Sequence, residues 1–160
     1  MKLRPATAAD FGFIRGLTGD PALAAFIGDD DEAQLAAYLG DPSARVVIWG
    51  EAAGFAIFRE IGNASGRVEL FRLALARAGA GGGAAFLAAL LAYAFDELGA
   101  ARVWLDASSE NLRAQKVYAR AGFTLEGRLR QHWYRPALGR TVDLLLYGMS
   151  RAEWRAMAPA

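Results

Sequence analysis

The stretch Ser109-Glu110-Asn111-Leu112-Arg113-Ala114-Gln115-Lys116-Val117-Tyr118 carries the most chemistry per residue in the chain. Asn111, Ala114 and Tyr118 are three and four residues apart, so a helix brings them to one face. A small alanine in the middle of that face lets a ligand chain lie close. The same stretch also reads as an ordinary amphipathic helix, capped at Ser108-Ser109 and stopped at Gly122. A second feature lies upstream, in Ala78-Gly79-Ala80-Gly81-Gly82-Gly83-Ala84. Glycines allow tight bends and close backbone approach to a ligand. The helix after them offers unpaired N–H groups and partial positive charge, which suits a pyrophosphate. A plain alanine–glycine connector would look the same.

Two side chains here could accept a proton, and a third could bind an acceptor. Glu69 sits in Val68-Glu69-Leu70-Phe71-Arg72-Leu73-Ala74-Leu75, where apolar neighbours would raise its pKa toward that of a useful base. It also reads as an ion-paired residue, with Arg72 as a partner. His132 titrates near neutrality and is the chain's single histidine. Asp143 is an acceptor-binding candidate on the neighbouring strand. One histidine and no cysteine leave no multi-His metal site, no thiolate catalysis and no disulfide. No metal is expected.

The elements that must position these residues follow from periodicity. The chain has 160 residues, 54% apolar and 22% charged, which suits one globular domain spanning 1–160. A net charge of +1 gives no field to attract nucleic acid or membrane. Residues 1–7 lack the apolar run of a secretory leader, and the apolar stretch 79–95 is too short to span a bilayer. A cytoplasmic protein is expected. A short strand at 3–6 precedes helices ending near Leu17 and Leu39, with Gly19-Asp20-Pro21 as the break. Strands at 45–49, 54–60 and 67–76 come next. The glycine loop opens a helix over 84–98, then come a strand at 102–106 and the helix over 110–121. Strands at 123–134 and 141–149 and a helical tail at 151–157 close the chain. The order β-α-α-β-β-β-α-β-α-β-β predicts a mixed α+β fold around one sheet.

The glycine loop does not end in Gly-Lys-Ser/Thr, as a nucleotide P-loop would. It also comes after the fourth strand, where a dinucleotide fold would have it after the first. In that position, Gly81-Gly82-Gly83 resembles the coenzyme A loop of the GNAT acetyltransferases, Arg/Gln-x-x-Gly-x-Gly/Ala. The basic position of the motif falls on Ala78, with Arg77 one residue early. The stretch from Asn111 to Phe123 resembles the family's Asn-x-x-Ala-x-x-x-Tyr-x-x-x-Gly-Phe at every fixed position. The resemblance covers Leu3 to Trp154.

It implies a GNAT-like, mostly antiparallel twisted sheet of about seven strands with about four helices. The fourth and fifth strands would be splayed, with a bulge on the fourth that also relieves the clash of Arg72 sharing a face with Val68 and Leu70. It implies acetyl-CoA as co-substrate, bound by the backbone of Leu73, Ala74 and Leu75, by the loop residues Gly79, Gly81, Gly82, Gly83 and Ala84, and by Asn111, Ala114 and Tyr118. A backbone N–H among Leu73 to Leu75 would meet the developing oxyanion. Tyr118 would be the general acid, Glu69 a general base and His132 an alternative. Arg113 and Lys116 could meet coenzyme A phosphates. The expected partner is an amine acceptor, with a protein N-terminal amine as the leading form. Polyamine, amino-acid or aminoglycoside acceptors are the alternative, and a non-catalytic coenzyme A sensor is the other class. A monomer or homodimer is expected.

Overall fold

The computed structural model describes residues 1–77 and 81–157. Seven strands form one sheet in the order β1-β2-β3-β4-β5-β7-β6. They are β1 (Leu3–Pro5), β2 (Arg45–Trp49), β3 (Gly54–Arg59), β4 (Arg67–Leu75), β5 (Arg102–Ser108), β6 (Thr124–Arg135) and β7 (Arg140–Ser150). The helices are α1 (Phe11–Thr18), α2 (Pro21–Ala24), α3 (Glu32–Gly40), α4 (Gly82–Ala92), α5 (Leu112–Arg120) and α6 (Arg151–Met157). The mixed α+β architecture is the expected one.

The break expected at Gly19-Asp20-Pro21 is real, but it also starts α2. Asp20 accepts a hydrogen bond from the Ala22 N–H, and Pro21 supplies a ready-made first helical φ. Asp31 caps α3 reciprocally with Gln34. On the far side of the sheet, α4 ends in a wide π turn over Tyr93–Glu97, and Gly99 stops it at φ +69°.

Two apolar layers sandwich the sheet. On one face Val68, Leu70, Val103 and Leu105 pack with Phe86, Leu90 and Phe95 from α4 and with Tyr118 and Phe123. On the other, Val46, Ile48, Phe55 and Ile57 pack with Ile14, Ile27 and Leu35 from the early helices. Burial of these large side chains is the main force holding the helices to the sheet.

Two irregularities interrupt the middle of the sheet. The β3–β4 register runs from Ile57 opposite Arg72 to Phe58 opposite Leu70, so Phe71 is an extra residue in β4. The face pattern inverts there. Val68 and Leu70 belong to the α4 side, but so do Leu73 and Leu75, while Phe71 and Ala74 lie against the early helices. The bulge thus resolves the clash posed by Arg72, as anticipated. Separately, β4 and β5 are parallel partners only from Arg67 opposite Arg102 to Glu69 opposite Trp104. Beyond Glu69 the two strands part, and β5 continues to Ser108 against β7 alone.

Candidate active site

The parting of β4 and β5 opens a cleft of about 1060 Å³ through the middle of the sheet. One wall is the free edge of β4, where Leu73, Ala74 and Leu75 line the cleft. Past Glu69 no strand pairs with that edge, so its outward backbone N–H and C=O groups are available to a ligand. At one end sits the first turn of α4, with Gly81, Gly83 and Ala84. Gly81 has φ +79°, a conformation that favours glycine. Gly82 faces Trp49, where an added Cβ would meet Cζ3 at an ordinary 3.6 Å, and at Gly83 it would meet only Leu75 at 4.0 Å. Packing inside the protein therefore does not demand glycine at 82 or 83. Close approach by something outside does explain it. Gly79 lies outside the described residues.

The opposite wall is α5. Asn111, Ala114 and Tyr118 all line the cleft, as their spacing predicts. The helix start differs from expectation. Asn111 itself is the N-cap, accepting from the Ala114 N–H at 3.1 Å, and the helix begins at Leu112. Ser108 completes β5 and accepts from the Glu110 N–H, because β5 runs two residues past the expected end. Arg113 also lines the cleft. Lys116 does not; it borders a shallow depression on the other side of α5 with Leu112, Phe123 and Leu125.

Tyr118 is 6% exposed and packs edge-on against Phe123 and Tyr147, with ring centroids 6.0 and 5.6 Å away. Burial pushes its pKa above the ordinary tyrosine value, with smaller contributions from the negative charge of Asp106 and from Tyr147. The phenol therefore keeps its proton at any working pH.

Glu69 is not among the residues that line the cleft. It is 3% exposed and lies opposite Arg59 in the β3–β4 register. Arg59 binds it at 2.7 and 2.8 Å, so its ion-pair partner is Arg59 and not Arg72. Burial raises its pKa and the Arg59 contact opposes that.

Asp106 is a second carboxylate at the site, one that the sequence reading did not single out. It stands on β5 two residues beyond Trp104, on the sheet face shared with Glu69, Phe71 and Arg72. It lines the cleft and has no hydrogen bond or ion pair to any described residue. The side chain is open to the cleft, yet protein surrounds it closely enough that burial raises its pKa, opposed by the more distant charges of Arg72, Arg59 and His132. In the sequence its only signal is a lone acid where β5 should leave β4.

His132 lies in an irregular part of β6 where the register jumps between Leu129 and Trp133 and Gln131 takes φ +47°. Asp143 holds that kink by accepting from the Gln131 N–H at 2.7 Å and pairing with Arg128. Neither His132 nor Asp143 lines the cleft; Trp133 does. Among the described residues no cluster of His, Asp or Glu could hold a metal ion, and no helix is long and apolar enough to cross a membrane.

A split parallel strand pair, a glycine-opened helix and a capped Asn–Ala–Tyr helix converge on one slot. The model of the acetyltransferase (GNAT) domain matches residues 1–124. The chain belongs to the GNAT acetyltransferase family. Uncharacterized N-acetyltransferases of Mycobacterium tuberculosis and Mycobacterium bovis are 38% identical to it over 100 residues. That alignment spans 59% of this chain and 62% of theirs. The GNAT fold is shared over nearly the whole chain with solved structures of Vibrio cholerae. Spermidine N-acetyltransferase in complex with CoA and spermine superposes with a TM-score of 0.83 at 21% identity, over 96% of this chain and 97% of that one. A dodecameric structure of that enzyme gives 0.80 at 20% identity, over 99% and 98%. In this GNAT domain the slot between β4 and α5 has the form a thioester arm requires: a free strand edge on one side and the small Ala114 on the other.

Proposed function

We propose that this protein transfers an acetyl group from acetyl-CoA to a primary amine by direct attack of the amine on the thioester. The observation that carries the reading is the slot itself, with an unpaired carboxylate, Asp106, and a protonated phenol, Tyr118, both lining it. The pyrophosphate of acetyl-CoA suits the first turn of α4, where Gly81 to Gly83 expose backbone N–H groups. The pantetheine amides suit the free edge of Leu73 to Leu75 and the side chain of Asn111.

The amine must lose a proton as its nitrogen bonds to the acetyl carbon. Asp106 accepts that proton, directly or through water. It is unpartnered, and its pKa is raised toward the working pH. A backbone N–H of the β4 edge meets the negative charge on the thioester oxygen. The C–S bond then breaks and Tyr118 gives its proton to the departing sulfur. The two steps support each other, because the negative charge of Asp106 is one cause of the raised Tyr118 pKa. Once Asp106 holds the amine's proton, that cause is gone and Tyr118 becomes a better acid just as the thiolate forms. Glu69, bound by Arg59, is a positioning residue that anchors the bulged strand.

Asp106→Asn should lower kcat/KM for acetyl transfer by about 10²–10⁴-fold, the usual contribution of a general base. Glu69→Gln should lower it by less than about tenfold. The reverse order would return the base to Glu69. A non-catalytic coenzyme A sensor would show a thermal shift with acetyl-CoA but no thiol release with any amine.

The leading acceptor is the α-amine of a protein N-terminus. A polyamine is the second reading, since the Vibrio cholerae neighbour binds spermine. That neighbour's dodecamer sets a larger assembly beside the monomer or homodimer expected from sequence.

A further inference from the structure

Asp106 is not the only unspent polar group in the cleft. Arg72, delivered to the same sheet face by the Phe71 bulge, lines it as well. Its guanidinium stacks on the Phe71 ring at 3.7 Å and sits over Gly28, where a Cβ would collide with the terminal nitrogen at 2.4 Å. Its Nε lies 3.3 Å from Asp30 Oδ2, close enough to share charge but not aligned for a hydrogen bond. Charge neutralisation is thus met, while the hydrogen-bonding capacity of the planar fork is not.

Arg72 is the strongest positive influence on Asp106, yet no nitrogen of one comes within 4.0 Å of an oxygen of the other. The two groups flank a gap. Leu23 of α2, Phe26 just after it, Phe71 and Trp133 add apolar walls to the cleft.

We propose that Arg72 reads an oxygen on the carbonyl carbon next to the acceptor's amine-bearing carbon, so the acceptor is an α-aminoacyl unit with an apolar side chain. This rests on the amine-acetyltransferase reading of the same site. An amine directed at Asp106 would place its neighbouring carboxylate or peptide carbonyl toward Arg72, and its side chain against the apolar walls. A polyamine would bring a second ammonium toward the same guanidinium, which repels it. A free amino acid and a protein N-terminus present the same α-amine and oxygen, so the chemistry is shared and the assay must separate the two.

The test compares leucine, leucinamide, a peptide beginning Leu-Ala, 3-methylbutylamine (leucine without its carboxyl group) and spermidine, followed by thiol release. The wild-type enzyme should use at least one of the three α-aminoacyl compounds with kcat/KM tenfold or more above 3-methylbutylamine and spermidine. Preference for leucine identifies a carboxylate, and preference for the amide or peptide identifies a chain end. Arg72→Met should erase the preference, lowering kcat/KM for the α-aminoacyl compounds at least tenfold more than for 3-methylbutylamine. Arg72→Lys should restore only part of it, because an ammonium lacks the fork. Because Arg72→Met leaves Asp30 unpaired, the double variant Asp30→Asn/Arg72→Met provides a folded control, checked by its thermal shift with acetyl-CoA. Equal use of 3-methylbutylamine or spermidine by the wild type overturns the proposal, as does an equal loss on every amine in the variants. No acetyl-CoA shift and no turnover with any amine would instead defeat the transferase reading.

Discussion

Replacing Tyr118 by Phe removes one oxygen atom and separates a catalytic role from a structural one. The ring is held by its edge contacts with Phe123 and Tyr147, and phenylalanine keeps both. The hydroxyl makes no hydrogen bond to any described residue, so its loss strands no buried partner. Stability should therefore move by less than about 1 kcal/mol, or roughly 2–4 °C in Tm for a domain of this size. Turnover should suffer far more. A positioned general acid contributes about 10²–10⁴-fold, which corresponds to about 2.7–5.5 kcal/mol of barrier. The assay is kcat by thiol release at saturating acetyl-CoA, with Tm measured on the same preparations. A second substrate sharpens it. An acetyl thioester of an aryl thiol has a leaving group that needs no proton, so the wild-type to variant ratio should shrink toward one. A kcat loss under threefold would refute the acid role. A loss accompanied by a matching fall in Tm, or one unchanged with the aryl thioester, would place Tyr118 in packing instead.

Ala114→Phe should fill the α5 wall of the cleft, raise the Kd for acetyl-CoA at least tenfold and abolish its thermal shift, while the apo protein stays within about 4 °C of wild type in Tm. Retained affinity would mean the arm does not pass Ala114. Asp106→Asn should make the protein more stable at pH 7 while disabling it. Burial raises the folded-state pKa of Asp106 above its unfolded value. The folded state therefore holds that proton more tightly, and stability is lost as pH rises through the folded pKa. The variant lacks this loss, so its Tm advantage should be present at pH 7 and vanish below about pH 4, where both states are protonated. A variant less stable than wild type at pH 7 would show that Asp106 has a stabilising partner.

The local features of this fold were legible because their causes are local. The Asn111–Ala114–Tyr118 face follows from 3.6-residue periodicity, and the stops at Gly99 and Gly122, with φ +69° and +92°, follow from glycine's freedom at a helix end. The α2 turn was missed because Asp20-Pro21 both ends one helix and caps the next. The proton chemistry was harder to read. Glu69 has apolar neighbours in sequence, but its ion-pair partner is Arg59, ten residues away and directly across the register, not the nearby Arg72. Asp106 looked like a strand-end acid because nothing near it in sequence reveals that β4 has already left β5. Titratable groups take their roles from the strand opposite, and one-dimensional patterns do not contain that strand.

One inserted residue links the fold to the chemistry. Without the bulge at Phe71, regular alternation would place Arg72 with Val68 and Leu70 against α4, and Leu73 and Leu75 against the early helices. With it, Leu73 and Leu75 rejoin the α4 side, where they line the slot, and Arg72 turns to the face that carries Asp106. The bulge also comes two residues after Glu69, the last residue of β4 paired with β5. A bulge bends its strand and increases local twist, so the same insertion that reassigns the side chains also carries β4 away from β5. The buried Arg59–Glu69 pair lies one step before the bulge and ties β4 to β3 at the point of divergence. Ion-paired and 3% exposed, a carboxylate in that position holds the strand where the cleft begins.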